Sequence, residues 1–253
     1  MRSVGVDLAA EPAGTAVATL DWSGAGAVVT DLVLPADDPA VLAAVLAADK
    51  AGIDCPLGWP APFVAFVTAH EQGHVPVPAD LAGRDWRRVL ALRGTDLAVH
   101  AATGLYPLSV AADRIGHTAM RCAGLLSALA AHGRPVDRTG AGVVVEVYPA
   151  SSLRRWGLPH RGYKGTANAA TRADLLARLR AAAPWLDLGR YAEVCARVDH
   201  ALDAVLAALT ARAVWLGAAT APDPVQAPAA GTEGWIALPT GALAELAGTA
   251  SPA

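Results

Sequence analysis

The chain has 253 residues, room for one large core or two small ones, and its 20 Lys and Arg against 23 Asp and Glu leave a net charge of -3 at pH 7. That balance excludes a chain that coats nucleic acid through its overall charge, while leaving local basic patches open. The mean hydropathy of +0.35 rests largely on alanine, and the only lysines are Lys50 and Lys164, a compositional bias that carries no functional signal.

In chain order, MRSVGVDLAA meets Asp7 before any apolar stretch long enough for a signal peptide, so a cytoplasmic location is expected. SVGVDLA, GTAVATLDW and AVVTDLVLP are three β-rich runs separated by the turns EPAG and SGAG, the pattern of an antiparallel meander. DDPAVLAAVLAADK then opens on acids and a proline and ends on a lysine, as a helix with a complemented dipole does. AGID follows as a fourth strand. A crossover helix demands a parallel pairing, and the first strand is its expected neighbour. Residues 60–140 read as a mostly helical insertion, with segments near PFVAFVTAHEQ, WRRVLAL and ADRIGHTAMRCAGLLSALAAHG. AGVVVEVYP, flanked by Gly and Pro, fits a buried parallel strand. ADLLARLRAAAP and AEVCARVDHALDAVLAALTARAVWLG are helical, and PDPVQAPAAGTEGWIALP is loop-like. The apolar stretch within the last helix contains Asp203 and Arg212, costly in a bilayer, so it reads as a core helix and no membrane association is expected. Cys55, Cys122 and Cys195 are odd in number and form no C-x-x-C, which fits buried small hydrophobes. No repeat or low-complexity linker divides the chain, so residues 1–253 are expected to form one α/β domain.

Two motifs compete for attention. HEQGH at 70–74 fits the H-E-x-x-H signature of zinc peptidases. Gly73 lies inside it, however, and Pro76 and Pro78 follow, where a helix cannot continue; Val77 and Asp80 stand where the extended motif needs Gly and His. The match therefore reads as a coincidence. The second pattern is a set of acids ending apolar runs: Asp7 after SVGV, Asp54 after AGI and Glu146 after GVVV. A carboxylate there is expensive unless paired, hydrogen-bonded or bound to a cation. Neighbouring first and fourth strands would bring Asp7 and Asp54 to one end of the sheet. Asp199 and Asp203, four apart in the last long helix, share a face that can point toward the same place. Each acid alone has an ordinary explanation as a turn or cap residue. Together they suit an oxygen-rich site for Mg²⁺ or Mn²⁺, two of which would support phosphodiester cleavage.

VGVDLA, GIDCPLGWP, RGTD at 93–96, EVYPA, the DHALDAVLAALTA helix and EGWIALP together resemble the DUF429 family, described as predicted nucleases of the ribonuclease H-like superfamily. The resemblance spans nearly the whole chain. It implies a five-stranded mixed sheet, strands 1–3 antiparallel and strands 4 and 5 parallel to strand 1, flanked by helices. It also implies Asp7, Asp54 and Asp203 as metal ligands, with Asp199 and Glu146 assisting and His200 as a proton shuttle. Arg93, Thr95, Asp96, Lys164 and Glu233 carry over as substrate-binding candidates, an Arg or Lys among them serving to clamp a phosphate. The function implied is a divalent-metal-dependent nuclease acting on nucleic acid. A non-catalytic phosphate-, nucleotide- or nucleic-acid-binding protein on the same fold is the alternative; a sugar-kinase-like phosphotransferase would need a second copy of the fold. A nuclease should carry the arginines of 84–93 and 154–164 around its carboxylates.

Overall fold

Three β-rich runs within the first 33 positions form the expected meander of β1 (Arg2–Asp7), β2 (Ala16–Ser23) and β3 (Gly26–Val33), β1 being buried at five successive positions. The structure is a computed structural model describing residues 1–24, 26–75 and 78–248. Asp37 caps α1 (Asp38–Leu46) by accepting the Ala40 N–H at 2.9 Å, and Pro39 occupies its first turn, both suited to a helix start. The crossover returns the chain as β4 (Lys50–Asp54), parallel to β1 with Gly5 opposite Gly52 and Asp7 opposite Asp54.

Four helices follow: α2 (Ala61–Glu71), α3 (Asp85–Ala91), α4 (Gly94–Thr103) and α5 (Gly116–Ala131). The first two bury no residue, whereas α5 buries Cys122, Leu125, Leu126 and Leu129. Strand β5 (Val144–Glu146) pairs parallel to β4, and α6 (Pro149–Arg155), α7 (Ala169–Ala182), β6 (Leu186–Asp187), α8 (Ala192–Arg197), α9 (Asp199–Trp215) and α10 (Ala227–Glu233) complete the α-helices and strands of the described residues.

The sheet order is β5-β4-β1-β2-β3-β6, six strands rather than the five expected. The extra one, β6, is two residues long and runs parallel to β3, too short to leave a periodic signature. Residues 192–217 are likewise not one helix: Val198 is extended, with φ of -123° and ψ of 118°, and separates α8 from α9. The tail expected to be loop-like contains α10, and the helical insertion expected at 60–140 contains one helix, α4, beyond the three segments named for it.

Helices cover both faces of the sheet. Val4, Val6, Ala51 and Ile53 pack with Val41 and Val45 of α1 and with α5. The opposite face receives α9, whose thirteen residues from Ala201 to Ala213 are all buried. Two glycines let it come so near. A Cβ on Gly5 would lie 1.9 Å from the Ala204 carbonyl oxygen and 2.3 Å from the Ala208 nitrogen, and one on Gly52 2.5 Å from the Ala207 oxygen. The helix backbone therefore rests directly on the β1–β4 pair. All three cysteines are buried and free, and among the described residues no helix is long and apolar enough to cross a membrane.

Candidate metal centre at the strand ends

Side chains alternate along a strand, so Asp7 and Asp54 stand on the same face as Gly5 and Gly52, the face that α9 covers. The seat on those glycines carries α9 close to the strand ends, where it presents Asp203. Asp7, Asp54 and Asp203 each offer an oxygen within 4.8 Å of the others, at the floor of a cleft of about 370 Å³ that also includes Tyr148, Lys164 and Arg114. Three carboxylates this close repel one another and are drawn out of water, so the centre is short of positive charge.

The partners are unequally shared. Asp203 is 1 % exposed and has both oxygens engaged: the Tyr163 hydroxyl donates to Oδ1 at 2.8 Å and the Lys164 ammonium lies 2.7 Å from Oδ2. Burial nevertheless pushes its carboxyl up to about 6, against the opposing pull of Lys164. Asp7 has His200, whose Nδ1 lies 2.5 Å from Oδ2. That contact raises the imidazole above the ordinary histidine value, despite partial burial. Asp54 receives no hydrogen bond from a described residue; burial raises it well above the carboxylate range, and Asp7 and Asp203 add to the effect that Lys164 opposes. Burial would lower the Lys164 ammonium, but Asp203, Asp54 and Asp7 override it and hold the ammonium above its usual value. Asp199 sits at the start of α9 and accepts the Gly165 N–H at 2.7 Å; that bond and His200 outweigh burial and keep it low.

Two residues absent from the sequence reading organise this corner. Tyr163 is one; the other is Arg172, fully buried on α7. Its guanidinium donates to the carbonyls of Tyr163 at 2.7 Å and Gly165 at 3.1 Å, and to those of Ala196 and Arg197 at the end of α8. One side chain thus ties the 163–165 loop to the α8–α9 break. Gly162 and Gly165, with φ of 73° and 87°, allow the sharp turns on either side of Tyr163 and Lys164. The GYKG spacing was the available signal, whereas an arginine in a helix resembling a solvated face gave none.

The other candidates form a separate network. Arg93 is 1 % exposed and spends all five guanidinium N–H groups within the protein, on Asp96 (3.3 and 2.9 Å), Glu146 (2.8 and 2.7 Å) and the Glu233 carbonyl (3.0 Å). No donor is left for a phosphate, so the clamp expected of Arg93 is corrected to a structural role. Glu146 also accepts the Leu57 N–H at 3.0 Å. With both oxygens committed it lies outside the group of three acids. Glu233 accepts the Ala61 and Gly94 N–H groups at 2.8 and 3.0 Å, fixing the starts of α2 and α4, and Thr95 accepts the Ile236 N–H at 2.7 Å. Of the original substrate-binding set, Lys164 is the member in contact with the acids.

The arginines do not gather as one groove. Arg84, Arg87 and Arg88 line a separate hollow beside Tyr106, Arg155 donates to the Pro239 carbonyl, and Lys164 and Arg114 line the cleft of the acids, with Arg93 locked into its own network. In HEQGH, α2 ends at Glu71 and Gly73 has φ of 74°, so the exposed His70 and His74 do not share a helical face. Pro76 and Val77 lie outside the described residues.

A family model described as "Protein of unknown function (DUF429)" matches residues 5–227. No curated protein and no solved structure matches the chain.

Proposed function

The chain belongs to the DUF429 family, and we propose that it is a divalent-metal-dependent nuclease whose centre is Asp7, Asp54 and Asp203. The observation that carries the proposal is the cluster of three acids within 4.8 Å at the floor of an open cleft. The donor set fits Mg²⁺ or Mn²⁺: all three groups are hard carboxylate oxygens, and Asp54, drawn largely out of water, accepts no hydrogen bond among the described residues. A bound ion would supply Lewis-acid polarisation of a phosphoryl oxygen and a water acidic enough to attack it. The protein's own groups have distinct duties. Asp7 and Asp54 hold the cation, Asp203 fixes Lys164 at the rim, and His200 is oriented through Nδ1 by Asp7. Its Nε2 has no partner among the described residues and is the atom at which a proton is taken up or released. The order β5-β4-β1-β2-β3, with β4 and β5 parallel to β1, supports the ribonuclease H-like reading.

The test is thermal unfolding with and without Mn²⁺ for the wild type, Asp7→Asn and Asp54→Asn, followed by incubation with end-labelled single-stranded and branched DNA and RNA. An ion at about 100 times its dissociation constant stabilises by about 2.7 kcal/mol, roughly 5 °C or more for a chain of this size. The wild type is expected to shift and to cleave, and both variants to do neither. No shift at millimolar Mn²⁺ refutes the proposal; a shift without cleavage of any substrate leaves a non-catalytic phosphate or nucleic-acid binder.

A further inference from the structure

A cation already stands in this centre, and it belongs to the protein. The Lys164 ammonium lies 2.7 Å from Asp203 Oδ2, while Tyr163 takes Oδ1 at 2.8 Å, so Asp203 is satisfied from both sides. Asp7 keeps one oxygen free of His200, and Asp54 keeps two. The lysine side chain is 52 % exposed, yet its place is set by what flanks it. Arg172 fastens the carbonyls of Tyr163 and Gly165, Asp199 fastens the Gly165 N–H, and the buried Tyr163 ring anchors the other side. The ammonium is therefore delivered to Asp203 by a braced loop rather than by a freely swinging chain. Charge gives the consequence. Three carboxylates are balanced by one ammonium and one divalent ion, and a second divalent ion would have to displace the ammonium or sit against it.

Resting on the reading of the three acids as a cation site, we infer that Lys164 occupies the place of a second metal, so that the centre binds a single divalent ion. This differs from the two-ion arrangement that the acid pattern in the sequence first suggests. Lys164 is then a fixed positive charge whose strength does not depend on metal concentration, and the ion bound by Asp7 and Asp54 is the only exchangeable one.

Counting bound Mn²⁺ decides the matter. Equilibrium dialysis of the full chain, with free Mn²⁺ read by electron paramagnetic resonance, should give one ion per wild-type chain and one for Lys164→Arg, which keeps the charge. Lys164→Met should give two, the second lost again in Lys164→Met/Asp203→Asn. Two ions in the wild type overturn the inference and leave the metal-centre proposal standing. One ion in Lys164→Met also overturns it, because the lysine then keeps nothing out. No bound ion in the wild type removes both. The wild-type count stands even where Lys164→Met fails to fold.

Discussion

Replacing Gly5 with alanine tests whether the seat of α9 is what assembles the acids. The added Cβ would meet the Ala204 oxygen at 1.9 Å and the Ala208 nitrogen at 2.3 Å, both backbone atoms of a helix packed all round. Bringing the first contact to the roughly 3.0 Å that real Cβ atoms tolerate requires α9 and β1 to separate by about 1 Å. Overpacking of a close-packed interior costs about 1–3 kcal/mol, and here no flexible side chain can give way. The expected loss is about 3 kcal/mol or more in urea unfolding, a midpoint lower by roughly 6 °C or more on heating. Because the strain falls on β1 two residues before Asp7, the Mn²⁺-dependent stabilisation should shrink as well. Gly124→Ala is the control: it is exposed on α5 with nothing within 4 Å of the added Cβ, and should stabilise by about 0.5–1 kcal/mol. A Gly5→Ala protein within about 1 kcal/mol of wild type, with an unchanged Mn²⁺ response, would falsify the glycine argument.

Asp54→Asn should make the metal-free protein more stable than the wild type at pH 8. The folded carboxyl is raised, so its contribution to stability is present below about pH 4 and is lost as pH climbs through the raised value. The variant's advantage should accordingly vanish near pH 4, and an advantage equal at both pH values refutes the assignment. His200 in the metal-free protein should titrate above about 6.5 by proton NMR and fall back in Asp7→Asn. Its contribution to stability is complete below about pH 6.5 and fades as pH rises through the folded value; a His200 titration identical in the two proteins contradicts the contact. Arg93→Met strands the carboxylates of Asp96 and Glu146 and should cost about 3–5 kcal/mol in urea, partly recovered in Arg93→Met/Glu146→Gln. A loss below about 1 kcal/mol would show that the network is not needed.

Much of this arrangement was legible because it follows from short-range rules. V-G-V-D and A-G-I-D each place an acid two residues after a glycine, and parallel pairing of their strands makes Asp7 and Asp54 neighbours without reference to the rest of the chain. Asp203 could be grouped with them because a helix this apolar has nowhere to go but the sheet. What escaped depends on side chains chosen by tertiary contacts. Arg93 looks like a surface cation in sequence, yet Asp96, Glu146 and Glu233 come from three elements to surround it. Arg172 looks like one more arginine of a charged helix until the backbone carbonyls of two other segments are seen around it. Strand β6 and the extended Val198 are fixed by neighbours rather than by local pattern.

The bond from His200 to Asp7 joins residues 193 apart in the chain, and this separation has a meaning during synthesis. At about 5–20 residues per second, β1 waits roughly 10–40 s after translation before α9 exists to lie on it. The meander and the β1–β4 pair can form meanwhile from contacts already available, but the strip around Gly5 and Gly52 stays uncovered and the acids of β1 and β4 face solvent without Asp203 or Lys164. The two halves of the centre thus meet only at the end of folding, so a nascent or truncated chain lacking α9 holds all six strands but has one face of the sheet uncovered and no complete cation site.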